Sequence, residues 1–184
     1  MRADYRIFID ACVLANYGVC DLLLRLAERP RLIVPHWSAE VLVEVRRTHS
    51  EKLGWPPHLV DSFQDQIGKA FPEAKIADYE SLLPALSNHA KDRHVLAAAI
   101  RGSCPLILTF NLKHFPSESL EQWSIAASHP QDYLLVLYEM EPKQVVGCLG
   151  EIAGRRKLEI EDVLIRLGRV LPCFSSRILD DLGG

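Results

Sequence analysis

Short apolar runs alternate with segments of helical periodicity over the first 128 residues, and this alternation limits the possible fold more than any single motif does. Apolar runs of strand length occupy residues 6–9, 31–34, 74–77 and 106–109, with a candidate edge strand at 123–126. Helices are expected between them at 21–27, which Pro30 would stop, at 38–48 and at 92–101. Strands separated by helices need crossover connections, so the pattern predicts an α/β fold with a central parallel sheet.

The pattern changes near residue 129, after which only helical periodicity remains. Pro130 and Pro142 occupy places where proline favours the first turn of a helix, and two more helical segments cover 160–169 and 175–182. We therefore predict two parts, an α/β domain over residues 1–128 and an α-helical C-terminal extension over residues 129–184.

Polar residues stand at equivalent places along this pattern. Asp10 closes the first apolar run, Asp92 opens a helix, and Thr109 and Asn111 follow the last strong strand. In an open parallel sheet the carboxyl ends of the strands face one crevice, where ligands collect. Two carboxylates about 4 Å apart repel by roughly 4 kcal/mol at an effective dielectric near 20, so such a cluster indicates a cation site. Oxygen ligands suit Mg²⁺ or Mn²⁺.

Each acidic residue also has a simpler interpretation. Asp10 could cap a helix, and Asp92 could complement the dipole at a helix N-terminus. Glu44, beside the apolar stripe of its predicted helix, could form a surface ion pair with Arg47. The metal-site interpretation depends on the residues as a set.

Charge and cysteine content narrow the class of protein. The net charge of −3 argues against a broadly basic nucleic-acid surface, so any RNA contact must use local patches. Five cysteines without a Cys-x-x-Cys spacing argue against a disulfide framework or a zinc finger. The apolar stretch 7–27 is interrupted by Asp10 and Asp21, so we expect neither a signal peptide nor a membrane span, and a cytoplasmic location.

Four segments together resemble PIN-domain ribonucleases, and most closely the VapC-like toxins of bacterial toxin–antitoxin pairs that carry a helical C-terminal extension. These segments are Phe8–Leu14, Glu44–Arg47, Lys91–Ala99 and Leu108–Pro116. The resemblance implies a three-layer α/β/α sandwich whose acidic cluster binds Mg²⁺ or Mn²⁺ and hydrolyses single-stranded or structured RNA. It also implies a cognate antitoxin and a homodimer, for which the apolar face around residues 22–26 is a candidate interface.

The resemblance carries over to individual residues. It assigns metal binding to Asp10, Glu44 and Asp92, which with Asn111 are the candidate catalytic residues. Candidate substrate-binding residues are Thr109 and the neighbouring cations Arg46, Arg93 and Lys113. The sequence departs from the family pattern at His114 and His89, which stand where acids are usual. His114 is therefore a candidate fourth metal ligand that offers nitrogen in place of oxygen.

Two alternatives remain open. The first is a degenerate PIN-fold module that binds RNA or an antitoxin without cleavage, which the two histidines favour. The second is a phosphatase of the haloacid-dehalogenase type, which also begins with a strand ending in Asp. That class needs a second acid two residues later, where this sequence has Cys12.

Overall fold

A five-stranded parallel sheet forms the centre of the computed structural model, which describes residues 5–28 and 31–183. The strands are β1 Arg6–Ile9, β2 Val34–Ser38, β3 Lys75–Ile76, β4 Leu106–Leu108 and β5 Ala126–Ser128. Their order across the sheet is β3-β2-β1-β4-β5, and every neighbouring pair is parallel. The predicted α/β class with a central parallel sheet is confirmed.

Helices connect the strands. They are α1 Ala11–Leu14, α2 Tyr17–Glu28, α3 Ala39–Arg47, α4 Pro57–Ala70, α5 Arg93–Arg101 and α6 Ser117–Leu120. The chain steps in one direction across the sheet from β1 to β3 and in the other direction from β4 to β5. Because parallel crossovers are right-handed, α2 to α4 and α5 to α6 cover opposite faces. Helix α5 contacts β1, β2 and β4, while α2 contacts β2, which gives the three layers.

Strand β2 begins later in the chain than the apolar run at 31–34 predicts. Arg31 has a left-handed backbone, with φ of 62°, which is incompatible with a strand. Pro35 lies inside β2, although proline cannot donate to a ladder. Alternate residues of a strand face opposite neighbours, and Trp37 N–H donates to Ala74 on the β3 side. The nitrogen of Pro35, two residues earlier, faces the same β3 side. Because β3 begins at Lys75, which pairs with Trp37, no residue of β3 lies opposite Pro35, and no ladder hydrogen bond is lost.

Two other elements differ from the sequence prediction. The expected edge strand at 123–126 is wrong, because Trp123 ends a 3-10 turn and Ser124 has φ of 54°, so β5 begins only at Ala126. Helix α4 is absent from the sequence prediction. It buries few apolar residues, Val60 and Ile67 among the described ones, so its sequence shows only a weak apolar stripe. The predicted helix stop at Pro30 lies outside the described residues.

The C-terminal part is helical, as predicted. It comprises α7 Pro130–Met140, α8 Pro142–Arg156, α9 Ile160–Leu167 and α10 Pro172–Gly183. Helix α8 packs on α2, and Arg156 Nη2 lies 2.8 Å from Asp21 Oδ2. Buried residues of these helices join the same apolar core as the sheet. The boundary at residue 128, where β5 ends, stays a prediction.

Within residues 5–28 and 31–183, no helix combines the length and apolar character needed to cross a bilayer.

Candidate active site

Asp10 and Thr109 lie side by side at the carboxyl ends of β1 and β4. Ile9 pairs with Leu108, and Asp10 N–H donates to the Leu108 carbonyl at 3.0 Å, so the next residues meet beyond the strands. The Thr109 hydroxyl donates to Asp10 Oδ2 at 2.7 Å, and Asn111 N–H donates to Thr109 Oγ1 at 3.0 Å. The order of the strands reverses between β1 and β4, and ligands of open α/β sheets bind at such a point.

Cys12 completes the surroundings of this carboxylate. Its Sγ donates to Asp10 Oδ2 at 3.1 Å, lies 3.5 Å from Thr109 Oγ1 and accepts from Phe110 N–H at 3.3 Å. Burial, reinforced by the charge of Asp10, raises the pKa of Cys12 to about 12. Cys12 is therefore a neutral thiol that helps to hold Asp10. This role of Cys12 is absent from the sequence predictions, although its place two residues after Asp10 is a usable signal.

The Asp10 carboxylate is buried, and the side chains that donate hydrogen bonds to it, Thr109 and Cys12, are neutral. Only 3% of the residue is exposed. Burial raises the pKa of Asp10, hydrogen bonds from Thr109 and Cys12 lower it in part, and the charge of Asp92 raises it again. The net direction is upward. A cation placed near Asp10 would remove this penalty, because opposite charge favours the ionised form.

Asp92 stands just before α5, as the sequence predicts for a helix-opening acid. Its Oδ2 lies 2.8 Å from His114 Nδ1 and 3.4 Å from His89 Nδ1. The imidazoles of His89 and His114 stack, with ring centroids 4.2 Å apart and planes 14° from parallel. The structure thus brings together Asp92 and the two histidines that stand where the resemblance predicts acids.

Glu44 faces His94 rather than Arg47. Its Oε1 lies 3.3 Å from His94 Nε2, and Glu40 Oε2 lies 3.7 Å from His94 Nδ1. Burial lowers the pKa of His94, but Glu44, Glu40 and Asp10 together outweigh burial, and the net pKa is raised. Glu40 is absent from the residues predicted from the sequence. Its spacing of four residues before Glu44 on α3 was a usable signal, because such residues share a helix face.

The candidate RNA-binding cations have different surroundings. Arg46 Nη1 lies 2.6 Å from Asp61 Oδ1 in an exposed ion pair between α3 and α4. Arg93 Nε donates to the Asn88 carbonyl at 3.3 Å. Lys113 is exposed on the 3-10 turn Leu112–His114. Arg46 is therefore engaged away from the site, whereas Lys113 is adjacent to the His114 position.

The donor chemistry of Asp10, Asp92 and Glu44 suits a divalent cation, although in the described residues the three ligand-type side chains found within 4.8 Å of one another are His89, Asp92 and His114. A buried carboxylate with a raised pKa lies within the electrostatic reach of Asp92, and both can offer hard oxygen ligands. Glu44, 39% exposed at its side chain, can offer another oxygen where α3 borders His94. The arrangement suits stabilisation of negative charge on a phosphodiester, because the side chains can hold a cation without a nucleophile of their own.

Comparison with known proteins identifies a relative. The chain is 40% identical over 102 residues to a protein of Mycobacterium tuberculosis named "Putative ribonuclease VapC50". The match covers 54% of this chain and 60% of that protein, so the chain spans less than two thirds of its relative's length. No protein-family model matches the chain. The expected resemblance to VapC-like proteins is confirmed, since the chain is similar to a VapC protein over about half of its own length.

Proposed function

We propose that this chain is a metal-dependent endoribonuclease of the VapC toxin kind, which hydrolyses phosphodiester bonds in single-stranded or structured RNA. The observation that carries the proposal is the buried Asp10 carboxylate, whose pKa is raised by burial and by Asp92 at the carboxyl ends of the strands. The ribonuclease name of its relative supports the same activity.

The proposed metal ligands are Asp10, Glu44 and Asp92, with His114 beside Asp92 as the candidate fourth. Mg²⁺ or Mn²⁺ bound there would supply Lewis acidity and lower the pKa of water for attack on the phosphodiester. Thr109 orients the Asp10 carboxylate, and the main chain of Asn111 fixes the Thr109 hydroxyl.

Other side chains would position the metal ligands or bind RNA. His94 holds Glu44 in place by its proximity, and Cys12 holds the Asp10 carboxylate. Arg93 and Lys113 are the stronger candidates to bind RNA phosphates. Arg46 would first have to leave Asp61, so its contribution should be smaller.

A homodimer and a cognate antitoxin are part of the proposal, but the interface expected around residues 22–26 is wrong. Leu22, Leu23 and Leu26 are fully buried within the chain. Exposed apolar side chains at Val43 and Leu59 are better candidates for association, because they lie on the adjacent helices α3 and α4.

The direct test is cleavage of a fluorogenic single-stranded RNA by the purified full chain. We expect cleavage with Mg²⁺ or Mn²⁺, none with a chelator, and a loss of at least about 100-fold in Asp10→Asn, since it removes an anionic ligand where transition-state charge is stabilised. Asp65→Asn, an exposed acid on α4, is the matched control. Equal cleavage by Asp10→Asn and wild type would contradict the proposal.

A second candidate is an RNA- or antitoxin-binding module without cleavage. The imidazoles of His89 and His114 at Asp92 favour it, because they offer fewer negative charges than the family's acids. Tight RNA binding without metal-dependent cleavage, together with growth unaffected by expression, would support this alternative.

A further inference from the structure

Three side chains from two loops converge on one point beside α5. The Nδ1 atoms of His89 and His114 lie 3.4 Å and 2.8 Å from Asp92 Oδ2. One ligand-type atom from each residue falls within 4.8 Å of the others. His114 is largely shielded from solvent, and its side chain is 22% exposed.

Backbone contacts hold this cluster together. His89 N–H donates to the His114 carbonyl at 3.2 Å, which joins the two loops directly. Asp92 N–H donates to the His89 carbonyl at 2.9 Å, and the buried Asn88 amide donates to the Asp92 carbonyl at 3.1 Å. The backbone of the two loops therefore holds the three side chains close together, and the half-exposed His89 ring would have to turn out of its stack with His114 for both imidazoles to reach one ion.

Protein donors satisfy the lone pairs of the cluster only in part. His89 Nδ1 accepts a long hydrogen bond from Lys91 N–H at 3.4 Å, which an ion bound at this nitrogen would replace. Among the described residues, the buried Asp92 Oδ2 and the buried His114 Nδ1 face each other at 2.8 Å, and apart from His89 Nδ1, 3.4 Å from Asp92 Oδ2, neither has another polar partner. Acceptor atoms that face one another in a buried place are costly unless a cation or proton lies between them.

We propose that His89, Asp92 and His114 bind a transition-metal ion of the Zn²⁺ class beside the Mg²⁺ or Mn²⁺ proposed for Asp10, Glu44 and Asp92, so that Asp92 is shared and His114 serves the transition metal instead of the fourth place of the first ion. Two imidazoles and one carboxylate match the three protein ligands of open zinc sites, which leave the fourth position to water or substrate. Ligand atoms about 2.0–2.1 Å from one ion lie at most about 4.2 Å apart, which both distances to Asp92 satisfy.

The ligand set also excludes the harder ion from this position. Mg²⁺ requires near-octahedral oxygen coordination, whereas imidazole nitrogen favours Zn²⁺ and its neighbours in the first transition series. The second carboxylate oxygen of Asp92 remains free to bind the Mg²⁺ or Mn²⁺ proposed near Asp10. The site does not require RNA cleavage, so its failure and the failure of the proposed nuclease can be told apart.

The test is Zn²⁺ binding to the full metal-free chain, measured by competition with a chromophoric chelator above the histidine titration range. Co²⁺ serves as a second probe, because its visible absorption reports nitrogen ligation and coordination number. We expect tight binding of one Zn²⁺ per chain and a low-coordinate Co²⁺ spectrum. His114→Ala should weaken Zn²⁺ binding by more than the about 10- to 100-fold that loss of an outer-shell partner costs.

Two further variants keep the result interpretable. His89→Ala removes a half-exposed ring, so it should preserve the fold while weakening Zn²⁺ binding to a similar extent. His58→Ala, an exposed histidine on α4, is the matched control and should bind Zn²⁺ like the wild type.

Asp10→Asn separates the two metal positions. It should retain the Zn²⁺ site while losing Mg²⁺- or Mn²⁺-dependent cleavage. Unchanged Zn²⁺ affinity in folded His89→Ala, or loss of the Zn²⁺ site in folded Asp10→Asn, would overturn the separate site. Absence of RNA cleavage with an intact Zn²⁺ site would count against the nuclease alone.

Discussion

The Thr109 hydroxyl donates a 2.7 Å hydrogen bond to Asp10 Oδ2 between residues that are 99 positions apart in the chain. Both residues are buried. The bond is made possible by the pairing of β1 with β4, which places the two strand ends side by side.

We expect Thr109→Val to lower the free energy of unfolding by about 1.5–3 kcal/mol, the typical value of a hydrogen bond to a charged group. The pKa of Asp10 should rise further, because one of the hydrogen bonds that lower it is removed. Cleavage should fall in parallel. Chemical denaturation and RNA cleavage measure both effects, with Thr109→Ser as the control that keeps the hydroxyl. Wild-type stability and activity in Thr109→Val would show that the bond positions nothing.

His94 should stabilise the fold most at acidic pH. Its pKa is above its ordinary value in the folded chain, because Glu44, Glu40 and Asp10 together outweigh burial, which lowers it. A raised pKa contributes stability that is complete below the unfolded value near 6.5 and is lost as pH rises through the folded value.

The stability difference between wild type and His94→Gln should therefore be larger below about pH 6.5 than at alkaline pH. Denaturation of both proteins across this range measures it, with His58→Gln as the control for an exposed histidine. A difference that is constant with pH would contradict the raised pKa.

His49 should act in the opposite sense. Its ring is fully buried and stacks on Trp55, with centroids 4.0 Å apart, and burial lowers its pKa. Stability linked to His49 is lost as pH falls below the unfolded value of about 6.5, where the unfolded chain takes up the proton first.

His49→Phe keeps an aromatic ring beside Trp55 but cannot take up a proton. Its unfolding free energy should therefore decline less than that of the wild type as pH falls, as followed by tryptophan fluorescence. The outcome against this prediction is an equal acid decline in both proteins.

The cations near the site should differ in their importance for RNA binding. Lys113→Ala should weaken binding to a single-stranded RNA and reduce the salt dependence by about 0.7 in log–log slope for each phosphate that the variant no longer neutralises. Arg46→Ala should change affinity little, because Arg46 is paired with Asp61. Its effect on stability should stay within about 1 kcal/mol, since exposed ion pairs contribute little. Equal decreases in affinity for both variants would place Arg46 in the RNA-binding surface.

Structural features that depend on residues close together in the chain could be predicted from the sequence. Apolar runs followed by helical periodicity predicted the parallel sheet, and the place of Asp10 after its strand predicted its arrival at the sheet edge. Glu40 could also have been found, because its spacing from Glu44 is a local property of the helix.

Two predictions made from local patterns were wrong because the apolar residues in them play a different structural role. Arg31 adopts a left-handed backbone conformation that the neighbouring residues do not predict. The strand therefore begins at Val34, the last residue of the apolar run 31–34. Leu22 and Leu26 looked like an interface between chains, but α8 packs on their helix within the same chain. A single helix shows which face is apolar and leaves open what covers it.

The sequence by itself determined the types of element and the chemistry available at their ends, because both depend on residues that are close in the chain. Only the tertiary structure decided which of those ends meet. Asp92 faces His114, and Glu44 faces His94, through the packing of loops and helices from different parts of the chain. Such pairings depend on contacts whose free energies arise only in the folded state, so no local pattern encodes them.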